Sequence, residues 1–276
     1  MDFIFRRSYR GPLKAVILDW AGTTVDYGSF APTAALVETF KNMGVHITVA
    51  QARRPMGMHK KDHIRAVTQA EPVAREWESV HGRPCSEADV EMMFQAFLPV
   101  QVACIADYAG LIPGTLDVLA DFRRRGLKIG TTTGYTRPMM NALLPESAKR
   151  GYIPDSVVCP DEVPAGRPHP WMAWQNVMNL GVYPLEACVK IGDTIPDIEE
   201  GLNAGVWTIG LVKSGNEIGL LEQEIAALDS QTLDNMLAQG GQRLRQAGAH
   251  FVVDTIADVL PVFDEIQQWV ARGERP

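Results

Sequence analysis

The chain's 276 residues, 46% of them hydrophobic, suffice for one large buried core, or for a core carrying a smaller inserted unit, and exclude a disordered protein. A net charge of −7 argues against a nucleic-acid-binding surface, yet leaves room for a local basic pocket facing a small anion. Cys85, Cys104, Cys159 and Cys188 form no C-x-x-C pair and no zinc-like spacing, so they read as small core residues and not as a disulfide framework or structural metal site.

The N-terminal stretch MDFIFRRSYRGP places its charges after a very short apolar run, and no continuous apolar run approaches the ~20 residues of a membrane helix. A soluble, cytoplasmic protein without membrane contact is expected. Residues 15–18, AVIL, read as a buried strand, and Gly22, Thr23 and Thr24 as the turn that stops it. Asp19 therefore sits at the carboxyl end of a strand, the edge where open α/β sheets bind ligands, followed by small residues that leave backbone N–H groups to face an anion. Taken alone, such an aspartate serves equally to end a strand or cap a turn. Two positions on, where a second acid would be useful, stands Ala21.

Residues 31–44 show helical apolar spacing and a glycine stop, and Thr48 with Gln51 reads as a capping box. From there to about position 107 only helical patterns occur, among them HKKDHIRAVTQA, REWESV and EADVEMMFQAFLPVQVACIADY, whose Met and Phe stripes read as helix packing. The last of these, residues 87–107, is also a candidate exposed apolar patch. Beyond Pro113-Gly114 the pattern alternates: helix 115–125, strand 127–132, helix 137–150, strand 156–159, helix 168–180, strand 187–191, helix 195–204, strand 206–211, strand 250–253 and a final helix. Alternation of this kind predicts an α/β fold, a parallel sheet covered on both faces. Residues 1–27 and 108–276 then form the core, and residues 28–107 an inserted all-helical cap over the strand ends.

Three further polar sites fall at later strand ends. Thr133-Gly134-Tyr135 offers a hydroxyl and a tight turn before a helix N-terminus, a favourable place for a phosphate oxygen. PAGRPHP offers Arg167 as a bidentate cation for an oxyanion. IGDTIPDIEEG carries Asp193 and Asp197 from a strand into a helix start, and Asp19 with Asp193 are placed to share one hard cation such as Mg²⁺ together with substrate phosphate oxygens. Each site alone reads as a turn residue, a surface charge or a helix cap; an acid, a threonine, an arginine and an acid pair at successive strand ends read as a catalytic set.

DWAGTTVD, TTTGYTR, PAGRPHPWM and KIGDTIPDIEEGLNAG, with ARRPMGMHKKDH in the helical segment, resemble the haloacid dehalogenase superfamily and, within it, the phosphonatase family. The resemblance covers nearly the whole chain. It implies a Rossmann-like core with a helical cap, a Mg²⁺ requirement, a homodimer, and hydrolysis of the P–C bond of phosphonoacetaldehyde to acetaldehyde and phosphate, a step of 2-aminoethylphosphonate degradation. It also implies that the Ala21 backbone carbonyl joins Asp19 and Asp193 as a metal ligand. Asp197 then orients metal-bound water or another ligand, without binding the metal itself.

In phosphatase members of the superfamily the second position after the nucleophile is usually an aspartate that protonates a departing alkoxide, worth about 10²- to 10⁴-fold. Ala21 cannot do this. A carbon leaving group asks instead for delocalisation, which a lysine imine supplies by accepting the electron pair of the breaking bond. Lys60 and Lys61 are the candidates, and the resemblance selects Lys60, with Met56 and His63 as associated residues. If the segment is helical throughout, Met56 and His63 share the Lys60 face, whereas Lys61 points about 100° away. Lys60 is expected to have its pKa lowered by desolvation and by a neighbouring cation, Arg167 or His63. His63 is expected to relay protons, Tyr135 to orient the imine or a water, and Thr133, the Gly134 turn amides and Arg167 to stabilise the phosphoryl oxygens. Ser29 stands where some members of the family carry a cysteine near the cap hinge, which argues against a catalytic part for that position. Two rival readings are an ordinary phosphomonoesterase or sugar-phosphate mutase, and a binding protein in which Ala21 marks lost catalysis.

Overall fold

The computed structural model describes residues 8–276; the first seven residues of the N-terminal stretch, with its short apolar run, lie outside the described residues. Six strands, β1 (Ala15–Leu18), β2 (Lys128–Thr132), β3 (Ser156–Val158), β4 (Cys188–Gly192), β5 (Trp207–Leu211) and β6 (Phe251–Val253), form one parallel sheet in the order β3-β2-β1-β4-β5-β6. This is the Rossmann-like order, with its topological switch between β1 and β4, where ligands gather at the carboxyl ends. Every residue of β1 is buried, because both faces of the sheet are covered. Val16 and Leu18 pack into the larger core with Phe122 and Ile129, while Ala15 and Ile17 face a smaller cluster with Ala173 and Val177.

Between β1 and β2 the chain forms α1 (Ala31–Asn42), α2 (Val49–Arg53), α3 (Lys60–Gln69), α4 (Glu71–His81) and α5 (Glu87–Ile105), then returns to the core through α6 (Thr115–Arg124). The expected capping box of Thr48 and Gln51 starts α2, and another, Ser86 with Asp89, starts α5. α5 packs against α1 and α3 and buries Val90, Met93, Phe97 and Ile105. The helical segment Glu87–Tyr108 is long and apolar enough on average to cross a membrane by length and composition only, although it holds no continuous apolar run of that length. Its inner face is occupied by the other insert helices, and Met92, half exposed, lies on the outer one.

The remaining helices are α7 (Arg137–Lys149), α8 (Trp171–Leu180), α9 (Ile195–Ala204), α10 (Glu222–Ala226), α11 (Ser230–Gln246) and α12 (Val259–Arg272). α8 begins three residues later than the sequence suggests, since His169 precedes Pro170 and the residue before a proline is disfavoured in helical conformation. α11 was not anticipated: Gly240 and Gly241 in its interior lower its helix propensity and blur its apolar stripe. Cys159 and Cys188 are buried as expected, but Cys85 and Cys104 are only partly so; all four are free thiols.

Phe97→Ala should destabilise the protein by about 3–5 kcal/mol, the usual range for emptying a large aromatic site. Chemical denaturation checks this; a loss near zero would contradict the packing of α5 on α1 and α3.

Candidate active site

The site begins where β1 ends. The Asp19 N–H donates to the Ile191 carbonyl of β4 at 2.9 Å, and the Thr24 hydroxyl donates to the Asp19 carbonyl at 3.0 Å, so the turn after the strand fixes this residue from both sides. One carboxylate oxygen, Oδ1, accepts from Arg167 Nη2 at 2.6 Å. The other receives no hydrogen bond among the described residues, and Asp19 lines a narrow cleft with Ala21, Lys60, Thr133, Gly134 and Arg167. Burial pushes the Asp19 carboxyl upward, and Arg167 opposes it.

Arg167 reaches this point from the loop before α8, buried and committed to the protein. Besides Asp19 it contacts Thr132 Oγ at 2.8 Å, Asp197 Oδ1 at 3.0 Å and Glu200 Oε2 at 3.1 Å. Four of the five guanidinium N–H groups are thus engaged, and the free bidentate grip on an oxyanion expected from sequence is not available. Lys190 lies beneath, in the middle of β4, donating to Asp197 Oδ1 at 2.6 Å and Thr132 Oγ at 3.0 Å, with Glu200 Oε2 3.4 Å away. Sequence reading missed Lys190, Glu200 and Thr132; a lysine inside the apolar run CVKIG was the available signal, because a buried ammonium requires buried carboxylates.

Asp193 follows β4 and differs from its neighbours. Its Oδ1 accepts from Thr23 Oγ at 3.0 Å and its Oδ2 from the Asn216 N–H at 2.8 Å, but no cation among the described residues touches it. Burial, then the charge of Asp19, drives its carboxyl well above the usual range. Asp197 is the reverse case: burial works against its charge, yet Arg167 and Lys190 hold its carboxyl below that range. Both Asp197 oxygens are taken, Oδ1 by the two cations and Oδ2 by the Thr194 hydroxyl at 2.6 Å in the capping box of α9.

Ligand oxygens of Asp19, Asp193 and Asp197 lie within 4.8 Å of one another. Asp19, Asp193, Asp197 and Glu200 are buried together, and the cations that contact the group among the described residues are Arg167 and Lys190, neither of them on Asp193. Fully ionised, the four would exceed these two cations by two negative charges, and the raised Asp193 and Asp19 carboxyls register that excess. That deficit and an all-oxygen donor set fit one hard divalent cation, with Asp19 and Asp193 as the carboxylates that have lone pairs to give.

Across the cleft stands Lys60, the first residue of α3 and only 2% exposed. Its Nζ lies 3.7 Å from Met56 Sδ and 5.5 Å over the Tyr135 ring, whose hydroxyl is buried without a partner. Burial lowers the Lys60 ammonium to about 8, against the pull of Asp19 and with help from Arg167. His63 does not supply that help: burial, then Lys60, holds it neutral with a pKa of about 3. Its Nε2–H donates to the Ala52 carbonyl at 2.7 Å, and Nδ1 is left buried and unpartnered behind the cleft. Lys61, one helical step round, pairs with Glu91 at 2.5 Å instead.

The segment before Lys60 is not helical, so the condition on which Met56 would share a helical face with Lys60 is not met. Gly57 has φ +91°, a left-handed conformation, and a Cβ there would lie 2.2 Å from Thr194 Oγ. A Cβ on Gly134 would lie 2.8 Å from the Met58 carbonyl, so two glycines let this turn of the insert sit against the core. Next to it Thr133 Oγ accepts from the Tyr135 N–H at 3.0 Å, which leaves the hydroxyl proton free to donate into the cleft. Ser29 lines the cleft from the linker after β1, in left-handed conformation at φ +54°.

Removing one member of the buried charge network should be costly. Lys190→Met is expected to lose about 3–5 kcal/mol of stability, because Asp197 and Glu200 would remain buried with half their compensation gone. Equilibrium unfolding in urea checks this, and wild-type stability would contradict the network.

A family model described as haloacid dehalogenase-like hydrolase matches residues 13–205. A phosphonoacetaldehyde hydrolase-like protein of Syntrophobacter fumaroxidans is 51% identical over 99% of this chain and 99% of its own length. A phosphonoacetaldehyde hydrolase of the same organism is 50% identical, again over 99% of both. Among solved structures, a phosphonoacetaldehyde hydrolase-like protein from Oleispira antarctica superposes with a TM-score of 0.97 at 40% identity, covering 100% of both chains. The chain is an enzyme and belongs to the haloacid dehalogenase-like hydrolases, in the branch that holds the phosphonoacetaldehyde hydrolases.

Proposed function

We propose that this enzyme cleaves the P–C bond of phosphonoacetaldehyde to acetaldehyde and phosphate, through an imine on Lys60 and an aspartyl phosphate on Asp19. The observation that carries the reading is a buried lysine facing the same cleft as Asp19 while position 21 has no acid. Curated relatives named phosphonoacetaldehyde hydrolase, one 50% identical, support it.

The neutral Lys60 amine adds to the aldehyde carbonyl, and the carbinolamine takes up one proton from solvent as its hydroxyl leaves as water, which gives the protonated imine. Asp19 Oδ2, free of hydrogen bonds, attacks phosphorus in line. The P–C electron pair moves into the iminium as an enamine forms, so the leaving carbon needs no proton at that moment and Ala21 is no handicap. Protonation of the enamine carbon and hydrolysis of the imine release acetaldehyde; hydrolysis of the acyl phosphate restores Asp19. Thr133, the Gly134 turn and the remaining Arg167 N–H face the phosphoryl oxygens, an electrostatic task. Asp19, Asp193 and the Ala21 carbonyl would hold Mg²⁺, which would supply neutralisation of the negative charge of the nucleophile and the phosphoryl group. Asp197, saturated by its own partners, orients the site without binding the ion. Tyr135 places its ring under the Lys60 ammonium. His63, held neutral and weakly basic by burial and by Lys60, offers Nδ1 as a hydrogen-bond acceptor near Lys60, a site through which a water could be oriented. Residues 28–107 act as the cap, in a cytoplasmic homodimer that covers the apolar outer face of α5 and serves 2-aminoethylphosphonate degradation.

Borohydride reduction with phosphonoacetaldehyde, followed by peptide mapping, should place the adduct on Lys60; a folded, metal-loaded protein with no adduct there would sink the imine. Asp19→Ala should abolish turnover while still trapping the adduct. A phosphomonoesterase would instead keep ester turnover in Lys60→Ala. With Lys60 titrating near 8, about one amine in ten is neutral at pH 7, against roughly one in three thousand for a lysine at 10.5. Below that pKa the rate of imine formation should therefore fall about tenfold per pH unit, and a profile flat from pH 6 to 8 would contradict a lowered Lys60.

A further inference from the structure

Arg53 closes α2 of the insert and is 9% exposed, but it does not line the cleft. Nη1 donates to the Gly28 carbonyl at 2.7 Å, in the linker that leaves β1, and to Asn216 Oδ1 at 3.3 Å, on the loop that follows β5. Asn216 answers with Nδ2 to the Arg53 carbonyl at 3.4 Å. The guanidinium carbon lies 4.9 Å over the Phe30 ring, while Nε and Nη2 are buried with no hydrogen-bond partner. An arginine kept charged and half satisfied in the interior is costly for stability alone. Its two side-chain hydrogen bonds go to the linker and to Asn216, and the main-chain N–H of Asn216 is the donor on Asp193 Oδ2 at 2.8 Å.

We propose that Arg53 is a positioning residue that couples the helical insert to Asp193, setting cation affinity through the Arg53–Asn216 clasp. The proposal rests on the reading that Asp193 helps to hold the divalent cation. With the insert seated, the clasp holds the Asn216 loop so that its amide fixes one Asp193 oxygen and leaves the carboxylate oriented toward Asp19. When the clasp is broken, that loop gains freedom and Asp193 loses a fixed donor. By reciprocity, cation binding then favours the seated insert.

Calorimetric titration of MgCl₂ into the metal-free, substrate-free protein tests this in Arg53→Ala, Arg53→Lys, Asn216→Ala, the Arg53→Ala/Asn216→Ala double variant and Asp193→Ala. Each single alanine variant at the clasp should weaken Mg²⁺ binding by about 5- to 10-fold, near the lower end of ordinary coupling between sites. The double variant should be no weaker than the worse single one, because both break the same link. Arg53→Lys, which keeps the charge and one donor, should recover part of the affinity. Wild-type affinity in Arg53→Ala and Asn216→Ala alongside lowered melting temperatures would show a merely structural arginine and overturn the proposal, as would additive losses in the double variant. If Asp193→Ala itself binds Mg²⁺ like wild type, the cation reading beneath the proposal fails, a result distinct from the first. Should the alanine variants not fold, Arg53→Lys against wild type still decides, since unchanged Mg²⁺ affinity and unchanged amide exchange in residues 212–219 would refute the clasp.

Discussion

The constraint on which the site depends is a shortage of positive charge at the switch between β1 and β4. Asp19, Asp193, Asp197 and Glu200 are buried together with two cations in contact, Arg167 and Lys190. Isolated carboxylates do not stay ionised in such surroundings. Arg167 and Lys190 satisfy Asp197 and Glu200 first and reach Asp19 at a single oxygen, so the excess charge collects on the cleft side, at Asp193 and the open face of Asp19. The interior ion pairs thus act as a floor: they fix where the backbone of β4 and the loop before α8 must lie, and the unbalanced charge faces the ligand.

The fold was largely legible because a parallel sheet writes itself plainly: apolar runs of four or five residues, each closed by a turn and followed by a helix. Asp19, Thr133, Arg167 and Asp193 were legible for the same reason, as polar residues in the first positions after strands. What escaped was set by burial, which a linear pattern does not carry. Lys190, in mid-strand, and Glu200, in mid-helix, look like ordinary charges until both are seen at 0% exposure. Arg167 reads from the sequence as a site cation, but its commitment to four acceptors is a property of three separate elements meeting. α11 was hidden by its own glycines, and whether the helix of Lys60 reached back to Met56 was left open; it starts four residues later.

The insert completes the site with little material. One turn, residues 56–59, and the first residue of α3 bring sulfur, ammonium and main-chain carbonyl groups to the strand ends, while the bulk of α1, α4 and α5 serves to hold that turn in place. Desolvation does the chemical tuning here. The same enclosure that lowers Lys60 keeps His63 neutral and Tyr135 protonated, so of three neighbouring polar groups only Lys60 carries a charge, and that charge is easily given up.

Two chemically identical amines stand side by side at the start of α3, and only the helical step separates an enclosed Lys60 from a surface Lys61 paired with Glu91. The length of the turn before them therefore has a meaning of its own. Deleting or inserting a single residue between Gly57, anchored against Thr194, and the helix would rotate the pair and deliver the wrong amine to the cleft. Insertion or deletion in this turn is closed to the protein, as is a side chain at Gly57, because here the spacing is as much a part of the site as any side chain.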